Sequence, residues 1–128
     1  MPEEKIRVLV ADDEESIRGT LSMLLGEEGY DVTAVPSAEE ALERFGRDPF
    51  PLVITDIRMG GMSGIDLLKE ARRLRPETEV IIITSYASLE TAVLALRSGA
   101  YDYLIKPFEE LELVVAAVAR ALEKSRLV

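Results

Sequence analysis

Short, almost wholly apolar runs alternate along the chain with longer stretches whose apolar residues recur at helical spacing. Ile6-Arg7-Val8-Leu9-Val10-Ala11 is the first run, and its near-continuous apolarity predicts a strand covered on both faces. From Glu14 to Leu25 the residues Ile17, Leu21, Leu24 and Leu25 fall on one stripe, which predicts a helix closed by Gly26 and Gly29. Tyr30 to Val35 reads as a second strand. Ser37 followed by Glu40 forms a capping box ahead of a helix carrying Ala38, Ala41, Leu42 and Phe45. Asp48-Pro49-Phe50-Pro51 breaks the chain before a third strand, Leu52-Val53-Ile54-Thr55. After the glycine-rich segment Gly60 to Gly64, a third helix carries Ile65, Leu67, Leu68, Ala71 and Leu74 and ends at Pro76. Val80 to Thr84 is a fourth strand, Ser88 to Leu96 a fourth helix stopping at Gly99, Asp102 to Ile105 a fifth strand, and Glu109 to Lys124 a fifth helix.

Alternation of this kind predicts an α/β fold, a doubly wound five-stranded parallel sheet with helices on both faces. In such a sheet, chemistry collects beyond the carboxyl ends of the strands. Polar residues do follow the strands: Asp12-Asp13 after the first, Asp56 after the third, Thr84-Ser85 after the fourth and Lys106-Pro107 after the fifth. Each has an ordinary structural reading. Asp12 or Asp13 would cap a helix, Asp56 would serve a turn, Thr84 would be a β-branched strand end, Lys106 a surface lysine and Pro107 a loop breaker. Their collection at the same end of one sheet favours a shared site.

Composition narrows the chemistry. The 128 residues make one domain, with 48% apolar and 30% charged side chains, a balance that suits a folded core. Histidine and cysteine are both absent, which excludes thiolate and imidazole metal sites, disulfides and any Ser-His-Asp triad. Fifteen basic against 24 acidic side chains give a net charge of −9, with no basic stripe for nucleic acid, so no direct nucleic-acid contact is expected. The start, Met-Pro-Glu-Glu-Lys, does not read as a signal peptide, and no apolar run nears the ~20 residues of a membrane span; a cytoplasmic domain is expected. Three gathered aspartates repel one another, and a divalent cation relieves that repulsion. Oxygen ligands without histidine or cysteine favour Mg²⁺. An aspartate can then act as nucleophile toward a phosphoryl group, giving an acyl phosphate.

On Asp12-Asp13, the segment Asp56-Ile57-Arg58-Met59 with Gly64, Thr84, and Lys106-Pro107-Phe108, the chain resembles the receiver domain of bacterial two-component response regulators along nearly its whole length. The resemblance implies the flavodoxin-like (βα)5 fold with strand order 2-1-3-4-5. It implies Asp56 as phosphoacceptor and Mg²⁺ held by Asp13 directly, by Asp12 nearby, by Asp56 and by the Arg58 backbone carbonyl. It further implies Thr84 and Lys106 as the groups that meet the phosphoryl oxygens, Tyr103 as a switch aromatic coupled to Thr84, a small residue at Ser85, and a cis Lys106–Pro107 peptide. Gly60 departs from the pattern, since proline usually follows Met59, and a looser loop is expected there. The implied partner is a sensor histidine kinase.

Apolar excess on the fourth and fifth helices suggests a phosphorylation-dependent homodimer. Leu111, Val114, Val115, Val118 and Leu122 are expected in the core, with Leu113 and Ala117 left over. The segment Ser85 to Ala92 and the turn at Gly99 to Tyr103 are similar to receivers of the NtrC type, whose outputs are σ54-dependent transcription activators. Residues 1–128 read as one receiver, with those after about 124 leading into a linker, either part of a larger regulator or a stand-alone domain. The competing readings are a Mg²⁺-dependent phosphohydrolase, which would want a second carboxylate where Ile57-Arg58 stands, and a flavodoxin-like cofactor binder, for which Asp12-Asp13 would repel a phosphate.

Overall fold

The computed structural model describes residues 5–108 and 110–127, with the side chains of 125–127 left aside. Ten elements alternate strictly: β1 Arg7–Ala11, α1 Glu15–Glu27, β2 Asp31–Val35, α2 Ala38–Arg47, β3 Leu52–Asp56, α3 Gly64–Leu74, β4 Glu79–Thr84, α4 Leu89–Arg97, β5 Asp102–Ile105 and α5 Leu111–Leu127. The predicted starts and stops hold to within three residues. Glu109, where the last helix was expected to begin, lies outside the described residues, and the helical backbone continues past Lys124 to Leu127.

All five strands are parallel, in the order β2-β1-β3-β4-β5. The central β3 and β4 are buried along their whole length, whereas the edges β2 and β5 are only partly covered. This is why the inner strands read as continuous apolar runs. Side-chain alternation sorts them to two cores. Leu9, Val53, Val80 and Ile82 face α2, α3 and the single fully buried α4 residue, Ala95. Val8, Val10, Leu52, Ile54, Ile81 and Ile83 face α1 and α5.

Three helices begin on a serine N-cap, of which the sequence pattern predicted the one at Ser37. Ser37 Oγ accepts the Glu40 N–H, Ser63 Oγ the Asp66 N–H and Ser88 Oγ the Thr91 N–H, each at 3.1 Å and each worth about 1 kcal/mol. The fifth helix corrects the expectation from pattern. Ala117 is fully buried, joined by Val114, Val118, Ala121 and Leu122, while Leu111 is exposed. The small side chain of Ala117 lets α5 lie close to the sheet, and the stripe turns accordingly.

Candidate functional site

The carboxyl ends of β1, β3, β4 and β5 meet at one rim, and four of the residues expected to matter converge there. Asp12 is completely buried, and its two oxygens do different work. Oδ1 accepts the Glu14 N–H at 2.9 Å, shaping the entry to α1, and Oδ2 lies 2.9 Å from Lys106 Nζ. Asp12 thus orients the N-cap residue Glu14 instead of capping α1 itself, and turns its other oxygen to Lys106. Burial raises its pKa above the ordinary aspartate value. The Glu14 N–H and Lys106 oppose that rise, and the neighbouring Asp56 charge adds to it.

Asp56 closes β3 with its carboxylate fixed at both oxygens. Oδ1 accepts the N–H of Ile57 at 2.7 Å and that of Arg58 at 3.4 Å, while Oδ2 accepts from Lys106 Nζ at 2.9 Å. Lys106 is almost wholly buried, and it follows a backbone bond from its own N–H to the Thr84 carbonyl and precedes a cis peptide to Pro107. Burial alone would lower the lysine pKa. Hydrogen bonds to Glu14, Asp56 and Asp12 outweigh it and hold the ammonium above the usual lysine range, so it stays charged.

Glu14 is the member the sequence did not reveal. It read as the first residue of a helix, yet its Oε1 lies 2.8 Å from Lys106 Nζ. Carboxylate oxygens of Asp12, Asp13, Glu14 and Asp56 all fall within 4.8 Å of one another. With Glu14 counted, one divalent cation and Lys106 would leave a single negative charge over, where three aspartates alone would have balanced. This gathering of hard oxygen donors suits a divalent cation with carboxylate and water ligands.

Asp13, Glu14, Asp56, Arg58, Gly60 and Tyr86 line an open cavity at this rim. The Arg58 guanidinium stacks 4.8 Å from the Tyr86 ring centre, a cation–π contact spanning the mouth. Thr84 is buried one residue beyond Ile83, the register partner of Asp56, and its hydroxyl accepts the Tyr86 N–H at 3.0 Å. Tyr103 pairs with Ile82 in register, packs half-buried against the α2–α3 side of the sheet, and shares a 2.7 Å hydrogen bond with Thr91 Oγ1 on α4.

The loop from Ile57 to Ser63 reaches the site by close backbone packing. Gly64 donates its N–H to the Ile57 carbonyl at 2.9 Å, and a Cβ placed on Gly64 would lie 1.9 Å from the Asp56 carbonyl oxygen. Gly60 and Gly61 take φ of 72° and 68°, a left-handed region that proline cannot enter. The departure at Gly60 thus marks a different turn. Its expected looseness is countered by Glu39, whose Oε2 accepts the Met62 N–H at 2.9 Å.

The sequence matches the response regulator receiver domain over residues 8–118. The chain belongs to that family. The receiver is 46% identical over 109 residues to the transcriptional regulatory protein ZraR of Escherichia coli K12, covering 85% of this chain and 25% of ZraR. It is 41% identical over 103 residues to the response regulator protein PilR of Pseudomonas aeruginosa, covering 80% of this chain and 23% of PilR. The receiver spans about a quarter of the length of these curated relatives. Among solved structures, the beryllofluoride-activated NtrC4 receiver domain dimer superposes with a TM-score of 0.88 at 37% identity, over 93% of this chain and 98% of that one. A CheY-like receiver from Methanospirillum hungatei gives 0.89 at 33% identity, over 98% of this receiver and all of its own chain. No helix among the described residues is long and apolar enough to cross a membrane.

Proposed function

We propose that this domain is a phosphorylation-operated switch in which Asp56 takes a phosphoryl group from a sensor histidine kinase. The observation that carries the reading is the Asp56 carboxylate, fixed by two backbone N–H groups and by Lys106 at the floor of an open acidic cavity. A carboxylate oxygen forms the new O–P bond as the N–P bond of the donor phosphohistidine breaks. Such a transfer needs alignment and charge neutralisation more than acid–base groups, which suits a chain without histidine. Asp12, Asp13, Asp56 and the Arg58 carbonyl would hold Mg²⁺, which when bound supplies positive charge against the crowded carboxylates and the incoming phosphoryl oxygens.

Phosphorylation adds about −1.5 to −2 charges at Asp56. Lys106 already stands at the accepting oxygen, and the Thr84 hydroxyl, leaving the Tyr86 N–H, provides a second partner. Tyr103 then gives up Thr91 and moves toward the space Thr84 vacates, which transmits the change to α4. Leu89, Val93, Leu94 and Leu96 on α4, Ile105 on β5 and Leu113 on α5 are exposed, an apolar surface that fits homodimerisation on phosphorylation. The output is then that of a σ54-dependent transcription activator in the cytoplasm, with residues 1–128 as the receiver, those after about 124 leading toward a linker, and DNA contacted by other parts of the regulator.

Intact mass after incubation with a small phosphodonor tests the core of this reading. One phosphoryl group gained with Mg²⁺, and none after chelation, is expected; no gain in either case would reject it. Sedimentation with and without beryllofluoride should show the mass doubling only in its presence, and an unchanged monomer would reject the dimer. The Arg58–Tyr86 stack screens the acyl phosphate from water. Replacing both residues by alanine should therefore shorten the lifetime of the phosphoryl group about tenfold, on the scale of one well-placed shielding contact of about 1.4 kcal/mol. Equal decay rates in the two proteins would end that idea.

A further inference from the structure

The middle of the β3–α3 loop holds two successive residues in the left-handed region, Gly60 and Gly61, where glycine's freedom makes the free loop expensive to order. Both ends of the loop are secured by burial and backbone. Met59 is nearly buried on one side, and on the other the Gly64 N–H bonds the Ile57 carbonyl. The middle is reached from a different element. Glu39, in the first turn of α2, accepts the Met62 N–H at 2.9 Å across a sequence separation of 23 residues. The fit is close, because a Cβ on Gly61 would lie 2.4 Å from Glu39 Oε2. The bond holds the Glu39 carboxyl below the usual glutamate range, as expected for an acceptor preferred in its charged form.

We infer that Glu39 is a positioning residue for the cation site, fixing the Gly60–Met62 turn so that the Arg58 carbonyl stays in place for the metal. The inference rests on the reading above that this carbonyl is a ligand. Glu39 lies outside the acidic cluster itself, so its influence passes through the loop backbone. What matters is the accepting oxygen. Glutamine retains one, and alanine does not.

The test uses the metal-free chain and titration with Mg²⁺ alone, followed by amide NMR, for the unsubstituted protein, Glu39→Ala and Glu39→Gln. Glu39→Ala should speed exchange of the Met62 amide and raise the Mg²⁺ dissociation constant roughly tenfold, the lower end for groups that support metal ligands. Glu39→Gln should restore both to within about twofold of the original, leaving less than the supporting-group effect. Unfolding midpoints in urea should be alike for all three. Unchanged Mg²⁺ affinity in Glu39→Ala would overturn the inference. Equal weakening by alanine and glutamine would overturn it too, since long-range charge would then be the cause. If the unsubstituted chain bound no Mg²⁺, the cation reading would fall and take Glu39's role with it, an outcome separable from failure of the variants alone.

Discussion

Asp56→Asn should gain no phosphoryl mass under any donor or Mg²⁺ concentration, while keeping its fold. The amide oxygen can still accept the Ile57 and Arg58 N–H groups that now bond Oδ1. Its NH₂ would then stand where Oδ2 meets Lys106, placing donor against donor at the 2.9 Å contact. Lys106 loses one of three carboxylate partners but keeps Asp12 and Glu14, and the Asp12–Asp56 repulsion disappears. Those changes oppose each other, so stability should move by only about 1 kcal/mol, the scale of one net hydrogen bond. The chemical loss is total, because an amide provides no carboxylate nucleophile. Intact mass read beside urea unfolding separates the two effects, and a phosphoryl gain in the variant would place the acceptor elsewhere.

Gly64→Ala should be the most damaging single methyl in the site. Its Cβ would lie 1.9 Å from the Asp56 carbonyl oxygen, 2.8 Å from its carbon and 3.1 Å from Ile57 Cα. All three are backbone atoms, and the carbonyl is further held by the Thr55 hydroxyl at 2.9 Å, so no side chain can rotate away to make room. Relief requires parting α3 from the end of β3, which also breaks the Gly64 N–H bond to Ile57. A loss of about 3 kcal/mol is expected, the upper range for overpacking and a large share of a small domain's stability. Urea unfolding measures that loss, and a lower phosphorylation rate would report the accompanying shift at Asp56. An alanine chain equal to the original in both would show that the contact is readily relieved.

The order and boundaries of the elements were legible because the inner strands are covered on both faces and the helices on one, so periodicity changed sharply at each junction. The rim was legible for a related reason: Asp56 and Thr84 end their strands, and Asp12 and Lys106 directly follow theirs. Less was legible where chemistry depends on a side chain's reach. Asp12 and Asp13 are adjacent and alike in sequence, yet one is completely buried and the other exposed. Glu14 carried no mark beyond being an acidic residue before a helix. Glu39 sits on an outward face of α2 and meets a loop 23 residues away, a pairing that no local pattern encodes. Ala117 looked surplus because small residues add little to an apolar stripe, although closeness of packing is what they provide.

The exposure of Glu14 bears on how quickly the pocket can respond. Its side chain is half open to water, whereas those of Asp12 and Asp56 are closed in with Lys106. A buried ammonium stripped of a partner before finding another would face a steep barrier, since an unpaired charge in such surroundings is strongly disfavoured. Here the proposed phosphoryl oxygens can enter as Glu14 swings into solvent, where its own charge is readily hydrated. Lys106 would exchange Glu14 for a phosphoryl oxygen while Asp12 and Asp56 still hold it. The proposed switch would in that sense begin as an exchange of partners led by a surface side chain.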